Sequence, residues 1–146
     1  MTTRVLDAAG DVDHTNYRYL AFQLDALVAL GELDRARALA DRIERKGALG
    51  PRPSWLGVSE RGRAAIALAD DSLDSATVHI DRALELHAAE TVPFESAKTL
   101  RLAAALSRRR GDRKGAATHE AAARSILDRI GAAIPTETQQ PKPSLA

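Results

Sequence analysis

Three stretches of the sequence, Gly31 to Lys46, Asp71 to Leu86 and Gly111 to Ile126, align without gaps at a spacing of 40 residues. A chain that returns to the same pattern at this interval builds one small unit several times, and each unit buries its apolar face against the next. Ala36, Ala76 and Ala116 share one column of the alignment, Ile43, Ala83 and Ala123 a second, and Leu24, Ala64 and Ala104 a third. Pro53 and Pro93 also correspond. Each precedes a helical pattern, where the missing N–H costs little because the first turn has no intrahelical acceptor for it. Asp13 holds that place in the first unit.

Within a unit the apolar residues recur at steps of three and four, which marks two amphipathic helices. Tyr17, Leu20, Leu24 and Leu27 form such a stripe, as do Ala36, Leu39, Ala40 and Ile43. Gly31, Asp70 with Asp71, and Gly111 with Asp112 fall between paired helices, offering a left-handed stop for one and a side-chain cap for the next. The spacing predicts helices near 13–30, 34–46, 54–70, 73–89, 93–110 and 112–130. Gly57 and Gly62 weaken the third of these, at about 1 kcal/mol each relative to alanine. Composition agrees: 29 alanines and 18 leucines against one Trp, two Tyr and two Phe favour close helix packing over a β-sandwich.

The expected fold is therefore all-α, three stacked antiparallel helical hairpins in a short right-handed solenoid. The repeat domain covers 13–132, with units near 13–46, 53–89 and 93–130. Residues 1–12 form a partial N-terminal segment, in which Val5, Leu6, Asp7 and Gly10 echo Ile126, Leu127, Asp128 and Gly131 and so read as the end of a further second helix. Residues 133–146, rich in proline, threonine and glutamine, read as a flexible tail, since few apolar groups offset their ordering.

The small residue in the first helix followed by alanine 12 and 19 positions on, as in Ala64, Ala76 and Ala83 and in Ala104, Ala116 and Ala123, resembles the tetratricopeptide repeat. The first unit departs from it with Leu24 and Ile43, and the period is longer than the usual 34. Pro93-Phe94-Glu95-Ser96-Ala97-Lys98-Thr99-Leu100, Leu106 to Asp112 and Ile126 to Ala132 are similar to the last helical repeats of LuxR-type (MalT-like) bacterial transcriptional regulators. That resemblance implies a tetratricopeptide-like interaction region. The family's ATP-binding loop has no counterpart here, because Gly57 to Gly62 is followed by Arg63 and Ala64 instead of lysine and a hydroxyl.

Catalytic signatures are few. With no cysteine there is no thiol nucleophile or thiolate metal site. His79 and His119 occupy equivalent repeat positions and are the best candidate bases, yet His119-Glu120 lacks the second histidine of a zinc protease, so we read both as structural or surface residues. Asp70, Asp71 and Asp74 suit a helix start. Trp55 and Phe94 read as packing residues at helix entries. Residues 96–130 hold nine cations against three acids, but the whole chain carries only +1, which argues against wholesale capture of nucleic acid.

The expected role is recognition without catalysis, needing no cofactor or metal. In a tetratricopeptide-like stack the first helices line the concave face, and removing the packing columns leaves Arg18, Asp25, Arg61, Lys98, Arg101, Arg108 and Arg109 along it. Such a face suits a protein, an acidic peptide or a small anionic ligand, gripped by arginine forks. A basic module for nucleic acid and a small-molecule sensor or enzyme with a groove site are the rival readings. No run is long and apolar enough for a membrane span and no signal peptide is evident, so the expected location is cytoplasmic, with homo-oligomers open to such a fold.

Overall fold

A computed structural model describes residues 14–50 and 52–131. They form six α-helices: α1 His14–Ala29, α2 Leu33–Ala48, α3 Pro53–Ala69, α4 Leu73–Glu90, α5 Pro93–Arg109 and α6 Arg113–Ile130. There is no strand among the described residues. The partial N-terminal segment, Asp13 and the proline-rich tail lie outside them.

The period is kept to the residue. Each second helix starts 40 positions after the last, at Leu33, Leu73 and Arg113. The turn before it carries a positive φ at the same place: Gly31 at 75°, Asp71 at 61° and Gly111 at 77°. The backbone closes identically each time. Glu32 donates to the Leu27 carbonyl at 2.9 Å, Ser72 to Ala67 at 2.8 Å and Asp112 to Ser107 at 2.8 Å, the long bond of a left-handed C-terminal motif. Side-chain capping is rarer than the sequence suggests. Among the described residues only Asp112 caps its helix with a side chain, accepting from the Gly115 N–H at 2.8 Å, whereas Glu32 and Ser72 make no side-chain cap.

Consecutive helices pack against each other, and the first helices α1, α3 and α5 also touch in series. The alanine columns sit where backbones approach: Ala36, Ala76, Ala64, Ala83 and Ala104 are all fully buried. At one column, a larger residue in one unit is matched by a smaller one in its neighbour. Leu24 stands where the other units have alanine, and it fits because it faces Gly62, whose missing Cβ would lie 2.9 Å from Leu24 Cγ. At the next interface the trade is reversed, with Ala64 in the column of Leu24 and Leu102 in the position of Gly62. Gly57 similarly gives way to His87, since a Cβ there would lie 2.5 Å from Cε1 of the imidazole. The two glycines that weaken α3 locally are therefore sockets, and burial of the facing side chains offsets their cost.

Trp55 and Phe94 behave as packing residues. Trp55 is buried with its ring tilted against Tyr17 at 5.4 Å, and Phe94 packs beside Ala97, Leu127 and Ile126. The opposite side of α1 carries Tyr19 and Phe22, and Leu30 follows in the turn just past its end, all largely exposed.

Candidate functional site

The first helices build a groove of about 400 Å³. Asp25 enters it from α1, Arg61 and Ala65 from α3, and Lys98, Arg101, Leu102, Ala105 and Arg108 from α5, with Glu120 of α6 at one end. Steps of three and four along α5 bring its cations and its small apolar residues to one side. Five of the seven residues selected from sequence thus converge: Asp25, Arg61, Lys98, Arg101 and Arg108.

The other two do not. Arg18 is exposed and outside the groove lining. Arg109 turns away from it to the preceding hairpin, where it donates to Asp71 Oδ1 at 2.5 Å and to the Leu68 carbonyl at 3.4 Å. The helix period explains the error: position 109 follows 108 by 100° around α5, so adjacent arginines cannot share a face.

Nor is Arg61 a free surface cation. It is 4 % exposed and ion-paired to Glu95, itself buried at the start of α5. Burial alone disfavours its charge, but Glu95 and Asp25 outweigh that and hold the guanidinium more firmly protonated than usual. Glu95 is likewise opposed by burial and rescued by Arg61, which holds its carboxyl below the ordinary range. Lys98 pairs with Asp25, tying the third hairpin to the first across the second, and its ammonium lies 5.3 Å from the Phe22 ring centroid and 5.8 Å from that of Phe94. Arg108 pairs with Glu120 at 2.7 Å. The cationic face therefore carries its own acids, and of the four cations that line the groove only Arg101 forms no ion pair or hydrogen bond with the described residues.

Glu95 was missed in the sequence because it comes from the unit after that of Arg61, and Glu120 because it comes from the second helix of the unit whose first helix carries Arg108. Beneath the groove the polar cluster continues inward. His87 is fully buried, both ring nitrogens lack a hydrogen-bond partner, and burial followed by the nearby Arg61 charge lowers its pKa to about 4. Tyr17 donates to the Ser54 carbonyl at 3.4 Å, and burial raises its phenol above the ordinary range.

The histidine pair of the sequence lies elsewhere. His79 meets Glu60, Nδ1 to Oε2 at 2.6 Å, beside a groove of about 320 Å³ lined also by Arg37, Asp41, Arg63 and Asp70. His119 borders the corresponding groove one period on, about 190 Å³, where Thr77, Asp81, Ala103 and Arg110 replace those four. Ser72 and Ser75 share the groove with His79, but neither hydroxyl is hydrogen-bonded to it. Among the described residues no three His, Asp or Glu side chains are grouped to hold a metal ion, and no helix is long and apolar enough to cross a membrane. No protein-family model matches the chain, and no curated protein matches it either.

Proposed function

We propose that this chain is a non-catalytic recognition module, a short right-handed tetratricopeptide-like solenoid that captures an acidic segment or a small anionic ligand along its first helices. The observation that supports this most directly is the groove in which Arg101, unpaired, lies beside Lys98 and Arg108 over Leu102, Ala65 and Ala105. Apolar walls lower the local dielectric around a cation and strengthen its contact with a carboxylate. The context that fits the resemblance of residues 93–132 is the interaction region of a LuxR-type regulator. In such a chain the groove would receive the signal or partner, and the ATPase and DNA-binding parts would lie in other regions.

The basic stretch 96–130 supports nucleic-acid binding less well, because its run of three consecutive arginines is engaged internally: Arg108 with Glu120, Arg109 with Asp71 and Arg110 with Asp74. The test is calorimetric titration with hexaglutamate at low ionic strength, with hexaglutamine as control. Arg101→Glu combined with Arg108→Glu is expected to abolish hexaglutamate binding while far-UV circular dichroism stays unchanged, since both side chains are partly or largely exposed. Equal affinity for hexaglutamine, or binding that survives the double reversal, would sink the proposal.

A further inference from the structure

Resting on that reading, we infer that Asp25 is a built-in occupant of the binding groove, a carboxylate of the chain itself that an incoming carboxylate displaces. The argument starts from a donor without an acceptor. Arg61 is more than nine-tenths buried, one of its terminal nitrogens bonds Glu95, and the other, Nη2, has no hydrogen-bond partner. An unmade bond on a buried charged donor is costly, so the site favours any acceptor that can reach it. The nearest acid is Asp25, whose Oδ2 lies 3.8 Å from Nη2, close enough for charge attraction and too far for a hydrogen bond. That same oxygen is held by Lys98.

Asp25 thus sits between two cations and serves only one well. It is also the most exposed member of the set, 40 % against 17 % for Lys98 and 4 % for Arg61, and so loses least when returned to water. A free carboxylate is not fixed to α1, so it can place one oxygen on Lys98 and the other on Arg61 Nη2, leaving Asp25 to water. Arg101, unpaired on the same wall, is available to a second carboxylate. The ligand class this selects is an acidic peptide with two or more carboxylates. Because Lys98 and Asp25 join the third hairpin to the first, displacement also releases the one ion pair among the described residues that spans all three units, which couples occupancy to the curvature of the stack.

The experiment compares hexaglutamate affinity for the wild-type chain, Asp25→Asn and Glu120→Gln. Asp25→Asn removes the competitor and is expected to tighten binding roughly fivefold, the effect of freeing one partly exposed ion pair. Glu120→Gln removes an equal charge from the end of the same groove and is expected to give less than half that gain. Asp25→Ser, which also lacks the carboxylate, should behave like Asp25→Asn and guards against an artefact of the amide. Equal gains from Asp25→Asn and Glu120→Gln would mean that only the general field matters and would overturn the inference while leaving the recognition proposal in place. No gain at Asp25, with wild-type binding still lost in Arg101→Glu/Arg108→Glu, would do the same. Absence of binding by both wild type and Asp25→Asn would overturn the inference and the proposal together.

Discussion

Gly57 and His87 occupy positions that in the third unit hold Ala97 and Leu127, and this correspondence makes the packing argument quantitative. Gly57→Ala alone introduces a methyl group 2.5 Å from Cε1 and 2.6 Å from Nδ1 of an imidazole that is fully buried and cannot swing into solvent. Overpacking of this kind costs about 1 to 3 kcal/mol, partly offset by about 1 kcal/mol of helix propensity gained on leaving glycine. His87→Leu alone removes two orphaned ring nitrogens, worth about 1 to 3 kcal/mol in relieved desolvation, but places a non-planar side chain against a glycine socket. The double variant recreates the Ala97–Leu127 pair, which already packs in the third hairpin. It should be at least as stable as the wild type, giving a coupling of about 2 kcal/mol between the two changes. Urea denaturation followed at 222 nm on the four chains of the cycle measures it. Additive effects, or a Gly57→Ala chain more stable than the wild type by the full helix-propensity gain of about 1 kcal/mol, would show that the glycine is not a socket for the histidine and would undo the account of why α3 tolerates it.

The buried imidazole also sets a pH dependence. Its pKa of about 4 lies below the ordinary 6.5, so between those values the unfolded chain binds a proton that the native chain refuses. Stability is complete above pH 6.5 and falls on acidification, by about 2 kcal/mol from pH 7 to 4.5. His87→Leu should flatten that limb, and an unchanged slope would show that the ring is not held neutral. At the second-unit turn, Asp71 adopts the left-handed φ that its counterparts Gly31 and Gly111 reach without strain. Asp71→Gly should raise stability by about 0.5 to 1 kcal/mol even though its exposed pair with Arg109 is lost. Gly31→Ala, where no atom lies within 4 Å of the added Cβ, should cost about 1 kcal/mol through the backbone alone. If thermal melts rank these two variants in the opposite order, conformational strain does not govern the turns.

What the sequence revealed and what it concealed separate along a physical line. Periodicity fixes features decided within one unit: the six helices, the turns at Gly31, Asp71 and Gly111, and the buried alanine columns all follow from spacing along the chain. It also selects residues that share a face, which is why five of the seven proposed groove residues meet. Properties decided between facing helices, whether of neighbouring units or of one hairpin, escape a reading of single columns. Leu24 looks like a departure from the pattern until Gly62 is placed opposite it, and Gly57 looks like a weak point until His87 is. Charge pairing fails for the same reason, because a helix face predicts where a cation points and not which acid from the next hairpin it meets. The separations themselves hold the missing signal. Arg37 pairs with Asp70, Arg61 with Glu95, Arg110 with Asp74 and Arg109 with Asp71, at 33, 34, 36 and 38 residues. All fall just short of the 40-residue period, because a residue on one helix faces the unit beside it slightly out of phase with its own equivalent. Scanning a repeat chain for opposite charges at a little less than its period would have found Glu95 beneath Arg61 and removed Arg109 from the groove. Lys98 and Asp25 stand apart from that rule at 73 residues, nearly two periods, which is the distance a tie needs to pass over a whole hairpin. This tie, the longest in sequence among the side-chain hydrogen bonds of the described residues, falls inside the groove, and that is why the proposed displacement of Asp25 would reach beyond the site to the packing of the units.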